Sequence, residues 1–171
     1  MDPIQLLVAE HRKMERMLAE ILSGDTRTRA RLFPEAADAL TAHVTVEEKH
    51  FYPAVRAHQT EGILLESLEE HLSLKRLLAD LLALDVSEPA WEAKLHVLEE
   101  QLEHHHKEEE SHLFPQVEKT FSRDELRELG DAMSRELEAL RAARPAQRVY
   151  GETREAAPLS APDVSALSPR A

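Results

Sequence analysis

The stretch HVTVEEKHFYP, residues 43–53, decides the fold, because the stretch HHKEEESHLFP at residues 105–115 repeats its pattern. Both follow His-x-x-x-Glu-Glu-x-His and end on an aromatic residue and a proline. Two earlier segments, EHRKMERMLAEIL from Glu10 and EHLSLKRLLADLL from Glu70, also resemble each other. The chain therefore consists largely of two similar halves, each with a histidine-bearing segment ahead of a His-x-x-x-Glu segment.

Length and composition favour a single helical domain. The chain has 171 residues, which is enough for one domain with a substantial core. It contains only four glycines, is rich in Leu, Ala and Glu, and has few β-branched residues, a composition typical of all-α proteins. The absence of cysteine excludes disulfides and thiolate metal sites.

Charge and hydropathy limit the partners of the protein. The formal net charge is −12, so electrostatic repulsion argues against nucleic acid and anionic lipid as partners. The sequence has no apolar run long enough for a membrane span and no basic segment at its start. We therefore expect a soluble, cytoplasmic protein that does not bind membranes.

Hydrophobic periodicity predicts four long helices, and a capping box at residues 122–125 starts a shorter fifth helix that ends near Ala143. The four helices cover about residues 3–23, 26–58, 63–84 and 89–119. Two similar helical hairpins with short connections predict an all-α, up-down-up-down four-helix bundle. We assign residues 1–144 to this bundle and its fifth helix, and the proline-rich residues 145–171 to a disordered tail.

Ionisable residues occupy positions on the buried faces of all four long helices, where apolar side chains are expected. They are His11, His43, Glu47, His50, His71, His105, Glu109 and His112. A buried carboxylate without a partner is strongly unfavourable, and two facing carboxylates are worse. Bound cations remove this problem, and imidazole with carboxylate suits divalent iron, manganese or zinc. A metal-free network of His–Glu hydrogen bonds is the alternative.

The spacing of these residues predicts a centre for two metal ions. His43 and Glu47 lie four residues apart on a helix and can reach one centre, as can His105 and Glu109. One histidine from each of the first and third helices completes the set. The predicted ligands are therefore His11, His43, Glu47, His71, His105 and Glu109, with the two glutamates bridging the ions.

The neighbours of these residues receive other assignments. In the run HHH at residues 104–106 only His105 matches the repeat, so His104 and His106 are predicted to lie on the surface. Glu108 and Glu110 are predicted to face solvent or to hold the ligands from outside. For His50 and His112, direct metal binding and contact with bound small molecules both stay open.

These residues resemble the hemerythrin-like, or HHE, cation-binding family over residues 4 to about 120. The resemblance implies a four-helix bundle that holds a non-haem di-iron cofactor, bridged by carboxylates and by an oxo or hydroxo group. It also implies dioxygen, peroxide, nitric oxide or iron itself as the small ligand that is handled or sensed. Lys75 stands where oxygen carriers of this family have a further histidine, which argues against reversible oxygen storage.

Two other functions fit part of the pattern. A ferritin-like ferroxidase or iron-storage protein uses Glu-x-x-His motifs, and Glu47 with His50 and Glu109 with His112 satisfy them. That fold also needs an inward glutamate on the other two helices, where histidines stand here. The third possibility is a metal-bound interaction module that acts through the fifth helix and the tail. Neither a nucleophile elbow nor a glycine-rich phosphate loop is present, so nucleophilic hydrolysis has no support.

Overall fold

A computed structural model describes residues 1–57, 59–154 and 157–159 of the chain. Every regular element in these residues is helical, which confirms the predicted all-α class. The α-helices are α1 (Pro3–Ser23), α2 (Thr26–Val46), α3 (Tyr52–Ala54), α4 (Glu61–Ala83), α5 (Pro89–Glu108), α6 (Phe114–Thr120) and α7 (Arg123–Ala143). The remaining elements are two π-helical turns, Glu47–Phe51 and Glu109–Leu113, and a 3-10 helix, Pro145–Gly151.

Side-chain caps fix the starts of several helices. Asp2 accepts hydrogen bonds from the first backbone N–H groups of α1, and Asp25 does the same for α2. Ser122 and Glu125 form the predicted capping box at the start of α7. That helix ends at Ala143 as predicted, although with 21 residues it is as long as α1 and not short.

The long helices pack as two hairpins. The first hairpin is α1 with α2, and the second is α4 with α5; the two join through contacts of α1 with α5 and of α2 with α4. The π-helical turns continue α2 into α3 and α5 into α6 without a break. Each of these two continuous helical segments is called a rod below. The result is the predicted four-helix bundle, with α7 packed against α1 and α2.

The apolar core is divided into two clusters by a polar layer. On α1, residues 14–21 belong to one cluster and residues 4–7 to the other, with His11 between them. On α4 the same two clusters lie on either side of His71. The His-x-x-x-Glu segments begin at this level on the other two rods. Burial of the surrounding leucines and aromatic residues therefore holds the polar layer in place.

The C-terminal segment begins with ordered structure. The 3-10 helix packs on α2 and α4 and buries Ala146 and Val149, and the Ala146 N–H donates to Asp38 Oδ1 at 3.0 Å. The sequence had placed this helix in the disordered tail, because a few apolar residues without periodicity give no helical signal. Residues 155–156 and 160–171 of that tail lie outside the described part of the chain. In the described part, no helix is both long and apolar enough to cross a membrane.

Candidate metal centre

All six predicted ligands meet in the polar layer, and each has at most 1% of its surface exposed. They form two overlapping groups, and in each group the potential ligand atoms lie within 4.8 Å of one another. The groups are His11, His43, Glu47 and Glu109, and Glu47, His71 and His105. Glu47 belongs to both, so it lies where a carboxylate would bridge two ions.

Glu47 faces one histidine from each hairpin. Its Oε2 atom lies 3.2 Å from His43 Nε2 and 3.2 Å from His71 Nε2. Burial, together with the nearby carboxylates of Glu109 and Glu48, raises the pKa of Glu47 well above its ordinary value. Without a cation, burial therefore disfavours the charged form of this carboxyl group.

Glu109 occupies the equivalent position on the second hairpin. Its Oε2 atom lies 3.3 Å from His11 Nε2 and 3.7 Å from His105 Nε2. Burial would raise the pKa of Glu109, but His105, His11 and His71 outweigh it and lower the pKa to about 2. The pKa values of the two facing carboxyl groups thus shift in opposite directions, as expected where two acids share one buried space.

Three outer carboxylates hold the histidines from the far side of their rings. Each accepts a hydrogen bond at a histidine Nδ1 and leaves Nε2 directed to the centre of the layer. The pairs are Glu110 with His11 at 2.8 Å, Glu48 with His71 at 3.1 Å and Glu70 with His105 at 2.7 Å. Such carboxylate–histidine pairs orient metal-binding imidazoles and increase their basicity.

The inward atoms of the layer fit a metal cation. Several of them are buried and have no hydrogen-bond partner among the described residues, which is unfavourable unless an ion binds them. These atoms are His11 Nε2, His43 Nε2, Glu109 Oε2 and both carboxylate oxygens of Glu47. His71 Nε2 and His105 Nε2 are 3.0 Å apart. Two nitrogens bound at right angles to one ion, with bonds of about 2.1 Å, are separated by about 3 Å.

Tyr52 is a member of the layer that sequence reasoning missed. Its hydroxyl group donates to Glu109 Oε1 at 2.9 Å and lies 3.1 Å from His71 Nε2. Burial, Glu109 and Glu47 raise the pKa of the Tyr52 phenol well above its ordinary value, so the hydroxyl keeps its proton. The sequence showed only an aromatic residue before a proline, and its orientation depends on the π-helical turn.

The π-helical turns decide which side chains reach the layer. The Tyr52 N–H donates to Glu47 O, five residues earlier, so Tyr52 lies over Glu47 on the inner side of the helix. The same wide turn links Phe114 to Glu109. A residue three positions after the glutamate is rotated away from the layer, because each residue of a wide turn advances by a smaller angle.

His50 and His112 are therefore absent from the layer. His50 is half-buried on the outside, with Nε2 at 3.9 Å from Glu136 on α7. His112 is exposed, and its Nδ1 lies 3.0 Å from Glu108. The prediction that they point to the bundle axis was wrong, because it assumed an unbroken α-helical period.

His106 and Lys75 are two further buried residues that lie next to the polar layer. His106 was predicted to lie on the surface, but it is 1% exposed and stacks on His11. That prediction was wrong because α1 covers this side of α5. Lys75 is also buried and donates to Glu48 Oε2 at 2.8 Å. It therefore supports Glu48 from outside the layer and does not fill the position of a missing histidine.

The chain is similar to known proteins in sequence and in fold. The profile of the hemerythrin HHE cation binding domain matches residues 2–117. A DNA nickase from Nostoc sp. is 30% identical over 117 residues, which are 68% of this chain but only 33% of that relative. A crystal structure of a hemerythrin HHE cation binding domain-containing protein from Mycobacterium kansasii has a TM-score of 0.75 and 24% identity, covering 90% of this chain and 95% of that one. Together with the buried His/Glu layer, the match over most of its length shows that the chain belongs to the hemerythrin HHE cation-binding domain family.

Proposed function

We propose that this protein binds two iron ions through His11, His43, Glu47, His71, His105 and Glu109, and that it handles or senses a small oxidant such as dioxygen, peroxide or nitric oxide. The observation that carries the proposal is the pair of overlapping ligand groups that share Glu47. A single ion would not need both groups. Two ions with a shared carboxylate would use the inward atoms of the six predicted ligands that otherwise lack a hydrogen-bond partner among the described residues.

The donor set supports iron. Four imidazoles and two carboxylates offer the mixed nitrogen and oxygen ligands that suit iron, and the 171 residues include no cysteine that would favour softer metals. When bound, iron would supply one-electron oxidation and reduction toward small oxidants. The outer carboxylates Glu48, Glu70 and Glu110 would keep the imidazoles oriented in either oxidation state.

The enclosure of the layer limits the size of the molecules that reach it. Its ligand side chains are covered by the two apolar clusters along the bundle axis and by neighbouring helices at the sides. A surface cavity of about 450 Å³ between α1 and α5 extends inward only as far as His106 and Glu110. A diatomic or triatomic molecule therefore fits this function better than an organic substrate.

The described contacts argue against a ferritin-like centre. That centre requires glutamates from the first and third long helices, but Glu10 binds Arg141 and Glu70 binds the outer nitrogen of His105. The histidines of the two Glu-x-x-His motifs lie outside the layer. We therefore favour the handling or sensing of a small oxidant over iron storage and ferroxidase activity.

We do not propose that this protein nicks DNA. The relative described as a DNA nickase is matched over only one third of its length. The net charge of −12 also disfavours a phosphate backbone as a ligand. An interaction role of α7 and the C-terminal residues is compatible with the di-iron proposal and adds no metal ligand.

Iron content and the optical spectrum test the proposal. Protein expressed with iron available, purified in air and desalted should contain about two iron ions per chain and show near-ultraviolet charge-transfer bands. Glu47→Ala is the matched control, because it removes the carboxylate shared by both groups. An iron content near zero in the unaltered protein, with normal folding by circular dichroism, would reject the proposal.

A second measurement concerns the small molecule. The reduced iron-loaded protein, exposed to air, should oxidise without a spectral change that reverses when oxygen is removed, and it should accelerate the decay of added peroxide. We expect this because Lys75 stands on α4 where oxygen carriers of this family have a further histidine. A reversible oxygen-dependent spectrum would instead identify an oxygen carrier.

A further inference from the structure

The side chain of His106 lies beside the candidate metal centre but is not one of its six proposed ligands. It is on α5, next to the predicted ligand His105, and its ring is stacked on that of His11. The two ring centroids are 3.8 Å apart, and the angle between the rings is 9°. The ring of His43 lies at 5.8 Å, nearly perpendicular to that of His106. Three histidines therefore meet at the end of the layer that faces α1.

Both ring nitrogens of His106 are buried and have no hydrogen-bond partner among the described residues. Burial of an unpaired polar group is unfavourable, and the great majority of such groups in proteins bind a side chain, a water molecule or an ion. The nearest carboxylate is that of Glu15, with Oε1 at 3.6 Å from Nδ1. His106 Nδ1 thus faces a carboxylate that lies beyond hydrogen-bond distance, and Nε2 has no partner among the described residues.

This arrangement resembles that of the histidines already assigned to the centre. His11, His71 and His105 also direct Nδ1 to an outer carboxylate and Nε2 to the centre. The potential ligand atoms of His11, His43 and His106 all lie within 4.8 Å of one another. Nitrogens at opposite positions on one ion, with bonds of about 2.1 Å, are separated by about 4.2 Å. Because the lone pairs of two stacked rings run parallel, one of the two rings would have to turn out of the stack to bring all three nitrogens to a single ion.

We propose that His106 is a further ligand, which joins His11 and His43 on the same transition-metal cation. This inference rests on the proposed two-ion function and deepens it, because it gives the two metal ions different numbers of imidazole ligands. The ion at the α1 end would have three imidazoles, whereas the ion at the other end has only His71 and His105. The position with fewer protein ligands lies beside the hydroxyl group of Tyr52. A small molecule therefore binds at the His71 end.

The test compares replacements at neighbouring histidines. His106→Phe keeps an aromatic ring against His11 but removes both nitrogens, and His106→Gly opens a space at the floor of the cavity between α1 and α5. His104→Phe is the control, because His104 is exposed on the same helix. Metal-free full-length variants are titrated with Co²⁺, whose visible absorption reports the number and type of its ligands.

We expect the unaltered protein and His104→Phe to bind two Co²⁺ ions with the same spectrum. His106→Phe should bind one ion unchanged and the other at least about tenfold more weakly, with an altered visible band. His106→Gly should show the same loss, and added imidazole, which can enter through the cavity, should restore the second ion and its band.

The outcomes separate this inference from the function on which it rests. Absence of bound metal in the unaltered protein would reject the two-ion function itself. Two ions of unchanged affinity and spectrum in His106→Phe would reject only the role of His106. Failure of imidazole to restore the second ion in His106→Gly would also overturn the inference, because the loss would then come from packing.

Discussion

The two hairpins have similar sequences and equivalent ligand positions, yet their surroundings differ. Each places one histidine of its first helix and one His-x-x-x-Glu segment in the polar layer. Around these positions, however, Glu15 on the first hairpin corresponds to Lys75 on the second, and Val44 corresponds to His106. The repeat therefore fixes the inner ring of side chains, and the residues around it make the two halves chemically unequal.

The sharpest difference concerns the carboxylate that precedes each first-helix histidine. Glu70 of the second hairpin binds His105 Nδ1, whereas Glu10 of the first hairpin binds Arg141 on α7. His43 Nδ1 consequently has no partner in the described part of the chain. Because α7 packs on the first hairpin, it draws one carboxylate out of a symmetric arrangement.

Replacing either inner glutamate of the layer is expected to change the metal content more than any other substitution considered below. Glu47→Ala should lose most of the bound metal, because both ligand groups contain Glu47. Glu109→Ala should follow closely, since Glu109 faces one histidine from each hairpin. Metal per chain after desalting is the measurement. The controls Glu48→Ala and Glu110→Ala should lose less, because these residues bind the histidines of the layer at their outer nitrogens. Equal losses would show that the register of the two segments is displaced by one residue.

The second prediction sharpens the contrast between Tyr52 and Phe114, which occupy equivalent positions after the two π-helical turns. In metal-free protein, Tyr52→Phe should lower the free energy of unfolding by about 1–3 kcal/mol, because Glu109 loses a buried hydrogen-bond donor. Denaturant titration is the measurement. Tyr150→Phe is the control, since Tyr150 is exposed and its change should have no effect. Equal behaviour of the two variants would mean that the Tyr52 hydroxyl does not bind Glu109.

The sequence predicted that these six side chains meet in one buried layer because each is bracketed by apolar residues at helical spacing, and because the repeat supplies every position twice. It could not predict Tyr52, His50 or His112 correctly, since the π-helical turn changes the rotation of these residues without a signal in the periodicity. The burial of His106 depends on how closely α1 covers α5, which is a property of tertiary packing. Position along one helix predicts which side a residue takes, but not which neighbour covers it.

The third prediction concerns the contact of Glu10 with Arg141, which has no counterpart in the second hairpin. Arg141→Leu should lower the free energy of unfolding by about 1.5 kcal/mol, because it removes a hydrogen bond to the nearly buried Glu10 carboxylate. The double variant with Glu10→Gln should recover part of this loss, since the unpaired charge is then gone. Arg135→Leu is the control, because Arg135 is exposed on the same helix. Thermal and denaturant unfolding of the unaltered protein, of the single variants Arg141→Leu and Glu10→Gln and of their double variant would measure the coupling. Additive effects would contradict a direct contact between Glu10 and Arg141.

The last prediction concerns how α7 is held to the first hairpin, and its expected effect is the smallest. An added Cβ atom at Gly130 would lie 2.0 Å from the Met1 carbonyl oxygen, so the chain start approaches α7 too closely for any side chain. Gly62, inside α4 of the second hairpin, has no atom within 4 Å of such a Cβ atom. Gly62→Ala should therefore raise the free energy of unfolding by about 0.5–1 kcal/mol through helix propensity alone.

Gly130→Ala has the same intrinsic gain but must displace the first residues, which weakens the exposed ion pair between the Met1 amino group and Asp131. Because the overlapping atoms belong to the backbone, we expect the overlap to outweigh this gain, so that Gly130→Ala lowers the free energy of unfolding by about 1 kcal/mol. Denaturant titration of both variants, with metal content as a second readout, makes the comparison. An equal gain in both variants would show that the chain start does not pack on α7. A loss of metal in Gly130→Ala alone would show that this contact also positions His11, through the start of α1.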